Sequence, residues 1–281
     1  MASVLELRNV GKTYATTTGP IEALNGIDFD IRPGEFLSIV GPSGCGKSTL
    51  LALASGLDFP TVGSVSLSGK PVERPVTNIG IVFQTDVLLD WRRIMQNVLI
   101  QPEMRGLDVR AYEQKAKDLI ALVGLEGFED KYPYELSGGM RQRVSICRAL
   151  IHDPPLLLMD EPFAALDALT REQMVMELHQ IWLQTRKSVL FVTHNIQEAV
   201  LLSSRVLVMT PRPGRIAEII DIDLPSVRTP ETMQTPRFIE LTTHIRHLFE
   251  SYGVLKTFAP RGAGNIIATA TRNISMPDID Q

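Results

Sequence analysis

Short apolar runs alternate with longer amphipathic stretches along most of this chain, and the two periods separate strands from helices. Residues 4–8, 36–40, 64–67, 79–83, 156–159, 189–192 and 206–209 are short and rich in Val, Ile, Leu and Phe, and read as strands. Helices are predicted to open at Lys47, near Ala168 and at Ile196, which gives the order of an α/β core. Between about 92 and 154 the pattern turns helical. Residues 110–123 read as an amphipathic helix with Ala111, Lys115, Leu119 and Leu122 at turn spacing, and 140–150 as a second helix. Past Pro225, residues 236–252 predict one more helix, with Phe238, Leu241, Ile245, Leu248 and Phe249 on one face and Gly253 as its stop. A segment of this size is expected to pack on the preceding unit, and residues 259–281 read as an irregular tail.

Chemistry enters at the end of the second run. Gly41, Pro42, Ser43, Gly44, Cys45, Gly46, Lys47 and Ser48 fit the pattern G-x-x-x-x-G-K-[ST], between an apolar strand and the helix former run that begins at Thr49. Its glycines let successive backbone N–H groups turn inward on phosphate oxygens at a helix N-terminus. The predicted ligand is a nucleotide triphosphate: Lys47 reaches the β- and γ-phosphates, the Ser48 hydroxyl ligates Mg²⁺, and Thr49 adds contacts near the α-phosphate. A purely structural turn needs neither the lysine nor the hydroxyl.

The run 156–159 is too short for a helix and ends in Asp160 and Glu161. Two adjacent carboxylates at a strand end are costly without a cationic partner, and Mg²⁺ is that partner for Asp160. Glu161 faces the other way along the strand and is placed to orient and deprotonate an attacking water. Ser137, Gly138 and Gly139 begin the helix through 150, a second anion-seeking helix end. One nucleotide could touch both helix ends within one chain, or the two ends could meet across two chains.

Together these motifs resemble the ATP-binding subunit of an ATP-binding cassette (ABC) transporter, over roughly residues 4–224. The phosphate loop, Gln84, the signature from Leu136 to Met140, the Asp160 and Glu161 pair, Ala165 to Asp167, and His194 occur in the family's order. The resemblance implies a phosphate-loop (RecA-like) α/β core with an inserted helical subdomain at about 92–154 and an antiparallel β portion. It places an ABC nucleotide-binding domain at 1–225 and a C-terminal helix and tail at 226–281. It also implies a head-to-tail homodimer with two ATP molecules sandwiched, each between the phosphate loop of one chain and Ser137 to Gly139 of the other. By position, Tyr14 would stack on adenine, Gln84 would contact Mg²⁺ or the attacking water, His194 would bond the γ-phosphate and hold Glu161, and Asp167 would shape the dimer interface. The implied cofactors are ATP and Mg²⁺.

The chain departs from the pattern at Met140, where many members have Gln, and at Asp90, where the most similar importer branch has Pro. That branch handles nitrate, sulfonates and taurine, and the resemblance rests on Met140 to Arg143, Leu88 to Arg92, and Arg212 to Ile216. Residues 86–102 would form part of a groove for a membrane permease, with Leu88 and Leu89 expected to be buried. Exporter subunits and soluble non-transport ABC proteins are the alternatives; the latter usually carry two cassettes or a long coiled coil, and this chain shows neither.

Composition limits the partners. With 28 Lys and Arg against 32 Asp and Glu there is no basic excess to suggest nucleic acid. No apolar stretch approaches the roughly 20 residues needed to cross a bilayer, so membrane work would run through the permease and, indirectly, a solute-binding protein. The first residues lack the pattern of a signal peptide, which fits a peripheral subunit on the cytoplasmic face. Cys45 and Cys147 are expected as buried, reduced thiols, with Cys45 a candidate target for reagents that block ATP binding.

Overall fold

The structure is a computed structural model, and it describes residues 3–254. Two long strands, β1 (Leu5–Thr16) and β2 (Gly19–Ile31), precede β3 (Phe36–Val40) and helix α1 (Lys47–Ser55). Strands β4 (Val62–Leu67), β5 (Lys70–Pro71) and β6 (Gly80–Val82) follow. A helical stretch then holds α2 (Ile94–Val98), α3 (Ile100–Met104), α4 (Glu113–Leu122) and α5 (Gly138–Leu150). The chain returns through β7 (Leu156–Asp160), α6 (Ala168–Thr185), β8 (Ser188–Thr193), α7 (Ile196–Leu202), β9 (Arg205–Met209), β10 (Ile216–Asp221) and α8 (Pro236–Ser251).

One sheet runs β10-β9-β3-β8-β7-β6, parallel except for the edge strand β10; the other, β2-β1-β4-β5, is antiparallel. Alternation along the parallel strands divides the core. Phe36, Val40, Leu157, Met159, Val189 and Phe191 point into a core shared with the helices. Their neighbours Leu37, Ile39, Leu156, Leu158, Leu190 and Val192 point into a core shared with α1 and the antiparallel sheet. Burial on both faces explains why these strands read as unbroken apolar runs. Because the parallel strands point the same way, their C-terminal ends place the loops after Val40, Val82, Asp160 and Thr193 along one edge, where open α/β sheets bind ligands.

The structure corrects several sequence expectations. The helix expected at 110–123 is divided: a 3-10 turn, Val109–Tyr112, precedes α4, and the Asp108 carboxylate caps it by accepting from the Arg110 N–H. Ala111 is therefore exposed, and the buried stripe is Ala116, Leu119, Ile120 and Val123, with Lys115 and Leu122 beside it. Strand 4–8 is only the start of β1, and β2 has no counterpart in the predicted elements. Helix α8 does bury Phe238, Leu241, Ile245 and Phe249 against the rest of the chain, with Thr235 accepting from the Phe238 N–H at its start. The expected tail at 259–281 lies outside the described residues. Among the described residues no helix is long and apolar enough to cross a membrane.

Candidate active site

The phosphate loop joins β3 to α1, and the apolar residues on either side fix its ends. Gly44 and Gly46 take φ of +75° and +105°, where an L side chain is strained. A Cβ on Gly46 would stand 2.6 Å from Leu24 Cδ2, so β2 presses on this turn. Lys47 is buried, and its ammonium donates to the carbonyls of Gly41 (2.9 Å) and Pro42 (3.0 Å), with Glu161 Oε1 at 3.8 Å. The Ser48 hydroxyl faces Asp160, at the end of β7, across the same cleft. Burial lifts the Asp160 carboxyl above its ordinary range, opposed by the neighbouring Ser48 hydroxyl.

Glu161 has left the strand with φ of 44°, a left-handed conformation that is strained for a non-glycine residue. Its N–H donates to the Val192 carbonyl at 2.9 Å, which ties β7 to β8 and aims the side chain. Glu161 Oε2 lies 2.9 Å from His194 Nδ1, just past β8. Tyr14, Ile21, Ala23, Ser43, Gly44, Gly46, Lys47, Ser48, Thr49, Gln84, Asp160, Glu161 and Arg212 line a cleft of about 340 Å³. The Tyr14 hydroxyl donates to Asp58 Oδ2 at 2.9 Å and the Lys12 ammonium sits 4.9 Å from its ring centroid, so the ring is held at the cleft wall.

The structure thus gathers Tyr14, the phosphate loop, Gln84, Asp160 and Glu161. Gly41, Pro42 and His194 line an adjoining hollow of about 780 Å³, along with Arg171 and Arg246. Ser137, Gly138, Gly139 and Asp167 line neither. The Ser137 hydroxyl caps α5, accepting from the Met140 N–H at 3.3 Å, and Asp167 caps α6, accepting from the Thr170 N–H at 3.0 Å. Cys45 is 1% exposed, buried as expected, and burial pushes its thiol up against the lowering effect of the Lys47 charge, which argues against the candidate role as a reagent target. Cys147 is buried as well, and both cysteines are free.

Sequence reasoning missed Ile21, Ala23 and Arg212. The first two sit on the unpredicted β2. Arg212 arrives because the loop after β9 abuts the phosphate loop: a Cβ on Gly214 would lie 2.0 Å from the Cys45 carbonyl oxygen. No spacing in the sequence announces that approach.

A second groove, of about 490 Å³, lies beside the segment after Gln84 and is lined by Ile81, Phe83, Val87, Leu89, Met104 and Arg105 among others. Leu88 and Leu89 are half-buried rather than fully buried, and Trp91 is 74% exposed. Helix α5 grips this segment. Arg141 Nε donates to Asp86 Oδ2 (2.7 Å), Ser145 Oγ to the Asp86 carbonyl (2.8 Å), and Arg148 to the carbonyls of Asp86 (2.8 Å) and Val87 (2.7 Å).

Comparison with known proteins shows the family. The family model described as ABC transporter matches residues 24–164. The chain is 47% identical over 246 residues to an uncharacterized ABC transporter ATP-binding protein of Methanocaldococcus jannaschii, covering 88% of this chain and 91% of the relative. It is 44% identical to a taurine import ATP-binding protein of Rhizobium johnstonii, over 92% of this chain and 98% of that one. An aliphatic sulfonates import ATP-binding protein of Bacillus cereus is 38% identical over 90% of this chain and 98% of its own length. Among solved structures, a dimeric ATP-binding cassette in a post-hydrolysis state, bound to ADP and Pi, superposes with a TM-score of 0.66 at 32% identity, over 80% of this chain and 99% of that chain. The chain belongs to the ABC transporter family, as one of its ATPase subunits.

Proposed function

We propose that this chain hydrolyses ATP to energise import of a small anionic solute, of the taurine or sulfonate type, through a membrane permease. The observation that carries the reading is the convergence of Lys47, the Ser48–Asp160 pair and the Glu161–His194 pair at one cleft edge. The working unit is a head-to-tail pair of copies. Ser137, Gly138 and Asp167 are exposed at helix starts away from their own cleft, with Gly139 buried behind the first two, which suits these ends to meet the nucleotide of a second copy. The related import subunits and the dimeric cassette support this arrangement. The apolar groove beside Gln84 is the proposed seat of the permease, and a solute-binding protein would act through that permease. The subunit would then sit at the cytoplasmic face of the membrane.

The residues present fit Mg²⁺. Ser48, Gln84 and Asp160 offer hard oxygen donors, and Mg²⁺ is usually held by one or two carboxylates plus substrate phosphates rather than by a full protein cage. Among the described residues no group of three or more His, Cys, Asp and Glu side chains is placed to hold a metal ion by itself. When bound, Mg²⁺ would offset the charge of the β- and γ-phosphates. The chain's own contributions are positional. Lys47 exchanges the carbonyls of Gly41 and Pro42 for phosphate oxygens, and the loop N–H groups cradle the phosphates. The Tyr14 ring offers a flat face for the base. Glu161 accepts the proton of the attacking water, and His194 holds its carboxylate in line.

The test is recovery of the chain with its partners from detergent-solubilised native membranes, followed by ATPase assays with taurine, sulfonates and nitrate. The expected result is a co-purifying permease whose complex is stimulated by one anion presented on its binding protein. An active ATPase recovered with ribosomes and without a membrane protein would overturn the import reading.

A further inference from the structure

The hydrolysis site described above uses Glu161 and His194 but leaves a buried carboxylate and an arginine behind them without a role. Glu198, on α7, is 7% exposed. Its Oε2 accepts from the Thr193 hydroxyl at 2.7 Å, and the same hydroxyl oxygen accepts from the Asn195 N–H at 3.0 Å. Thr193 and Asn195 flank His194, so Glu198 fixes the turn that carries the histidine. Asn195 adds to this by accepting from the N–H groups of Gln197 (2.9 Å) and Glu198 (3.3 Å) at the start of α7.

On the other side of Glu198 stands Arg171, from the first turn of α6, with its Nε 3.9 Å from Glu198 Oε1. The Arg171 guanidinium donates to the carbonyls of Phe163 (3.2 Å) and Leu166 (2.8 Å). Those carbonyls belong to the turn between Glu161 and Asp167. A fork-shaped donor set is suited to holding two backbone oxygens and a carboxylate at once. Burial raises the Glu198 carboxyl, and the Thr193 hydroxyl and Arg171 charge oppose that effect.

We infer that Arg171 and Glu198 are positioning residues for hydrolysis, which join the turn carrying His194 to the turn carrying Asp167. The inference rests on the proposed two-copy reading. Asp167 faces outward at the start of α6, where a second copy would arrive, while His194 holds the carboxylate that handles the water. The pair makes the placement of one turn depend on the placement of the other. Neither residue lies in the cleft that takes the nucleotide, so the link acts on turnover and not on nucleotide capture.

The test uses the full chain with Glu198→Gln, Arg171→Lys, Arg171→Met and the double variant, scored by kcat, KM, direct ATP binding and thermal midpoint. Glu198→Gln keeps an oxygen for the Thr193 hydroxyl and removes only the charge that meets Arg171. The expected result is a fall in kcat of about tenfold for Glu198→Gln and Arg171→Met, a smaller fall for Arg171→Lys, and KM and ATP affinity unchanged within about threefold. The double variant should be no slower than the worse single variant, because both cut one link. Arg171, at the partly exposed end, reports on the same link if a Glu198 variant fails to fold. A kcat within about twofold of the parent in both single variants, or losses that multiply in the double variant, would overturn the inference. Glu161→Gln run alongside separates the two ideas: its rapid turnover would sink the hydrolysis assignment, whereas an inactive Glu161→Gln beside active Arg171 and Glu198 variants would sink only the link.

Discussion

Replacing Glu161 by Gln isolates proton acceptance from everything else this residue does. The amide keeps the size of the carboxylate and an oxygen for His194 Nδ1, 2.9 Å away in the parent. The backbone N–H bond to Val192 is untouched, so the left-handed conformation at φ 44° is retained. What disappears is a base. General base catalysis supplies about 10²–10⁴-fold, equivalent to about 3–5 kcal/mol of barrier at about 1.4 kcal/mol per decade. Lys47, 3.8 Å from Glu161 Oε1, loses a competing anion and becomes freer to meet phosphate. Turnover should therefore drop by at least about a hundredfold, with ATP affinity equal to or tighter than the parent's. Phosphate release over minutes to hours, equilibrium binding of a fluorescent ATP analogue, and light scattering with and without ATP give the three readouts. ATP should shift the variant from one copy to two, and the paired form should persist because hydrolysis no longer opens it. Turnover within about tenfold of the parent would refute the assignment of Glu161 as base.

Two further predictions concern stability. Gly46→Ala places a Cβ at φ +105° and 2.6 Å from Leu24 Cδ2; left-handed strain of about 1–2 kcal/mol and overpacking of about 1–3 kcal/mol should combine to about 2–5 kcal/mol of lost stability in urea titration, together with lost ATP binding. Unchanged stability would show that β2 yields freely. His152 and His179 are pushed down from 6.5 to about 4, first by burial and then by the charges of Arg105 and Arg228 respectively. Both are neutral in either state above pH 6.5; below it the unfolded chain takes up protons that the folded chain refuses until about pH 4, so their contribution to stability is lost as pH falls through that window. The urea midpoint of His179→Gln should depend less on pH between 7 and 5 than the parent's, and equal slopes would contradict the argument.

The central sheet was legible because its strands are buried on both faces. Runs such as 36–40 and 189–192 are apolar without interruption and leave no competing reading. The antiparallel sheet was legible only in part, at 4–8 and 64–67, and β2 and the rest of β1 were not. β1 and β2 pair with register shifts after Leu7 and Val10, and Asn9 takes a φ of 47°, so the inward and outward positions exchange partway along and the two-residue alternation breaks. Residues 110–123 failed for a different reason. Asp108 can cap a tight turn locally, and that turn competes with helix and rotates the buried stripe by one position. The site shows the same division. Lys47, Ser48, Asp160 and Glu161 are contiguous motifs whose chemistry can be read in order, whereas Arg171, Glu198 and Arg212 reach their places through folding alone.

The same distinction bears on how the groove and the nucleotide cleft communicate. Gln84 lines the cleft, and Phe83, Val87 and Leu89 on either side of it line the apolar groove, so the two share one short segment. Three side chains of α5 hold that segment through Asp86 and Val87, and α5 begins at Ser137 and Gly138, the end proposed to meet a partner's nucleotide. Hydrogen bonds from a charged donor contribute about 1.5–3 kcal/mol each and neutral ones about 1 kcal/mol. A displacement of residues 86–87 that left α5 behind would break four such bonds together, a loss of several kcal/mol. Movement in the groove therefore carries α5 with it. A permease seated in the groove, as proposed, would thereby have a mechanical route to the Ser137 helix end.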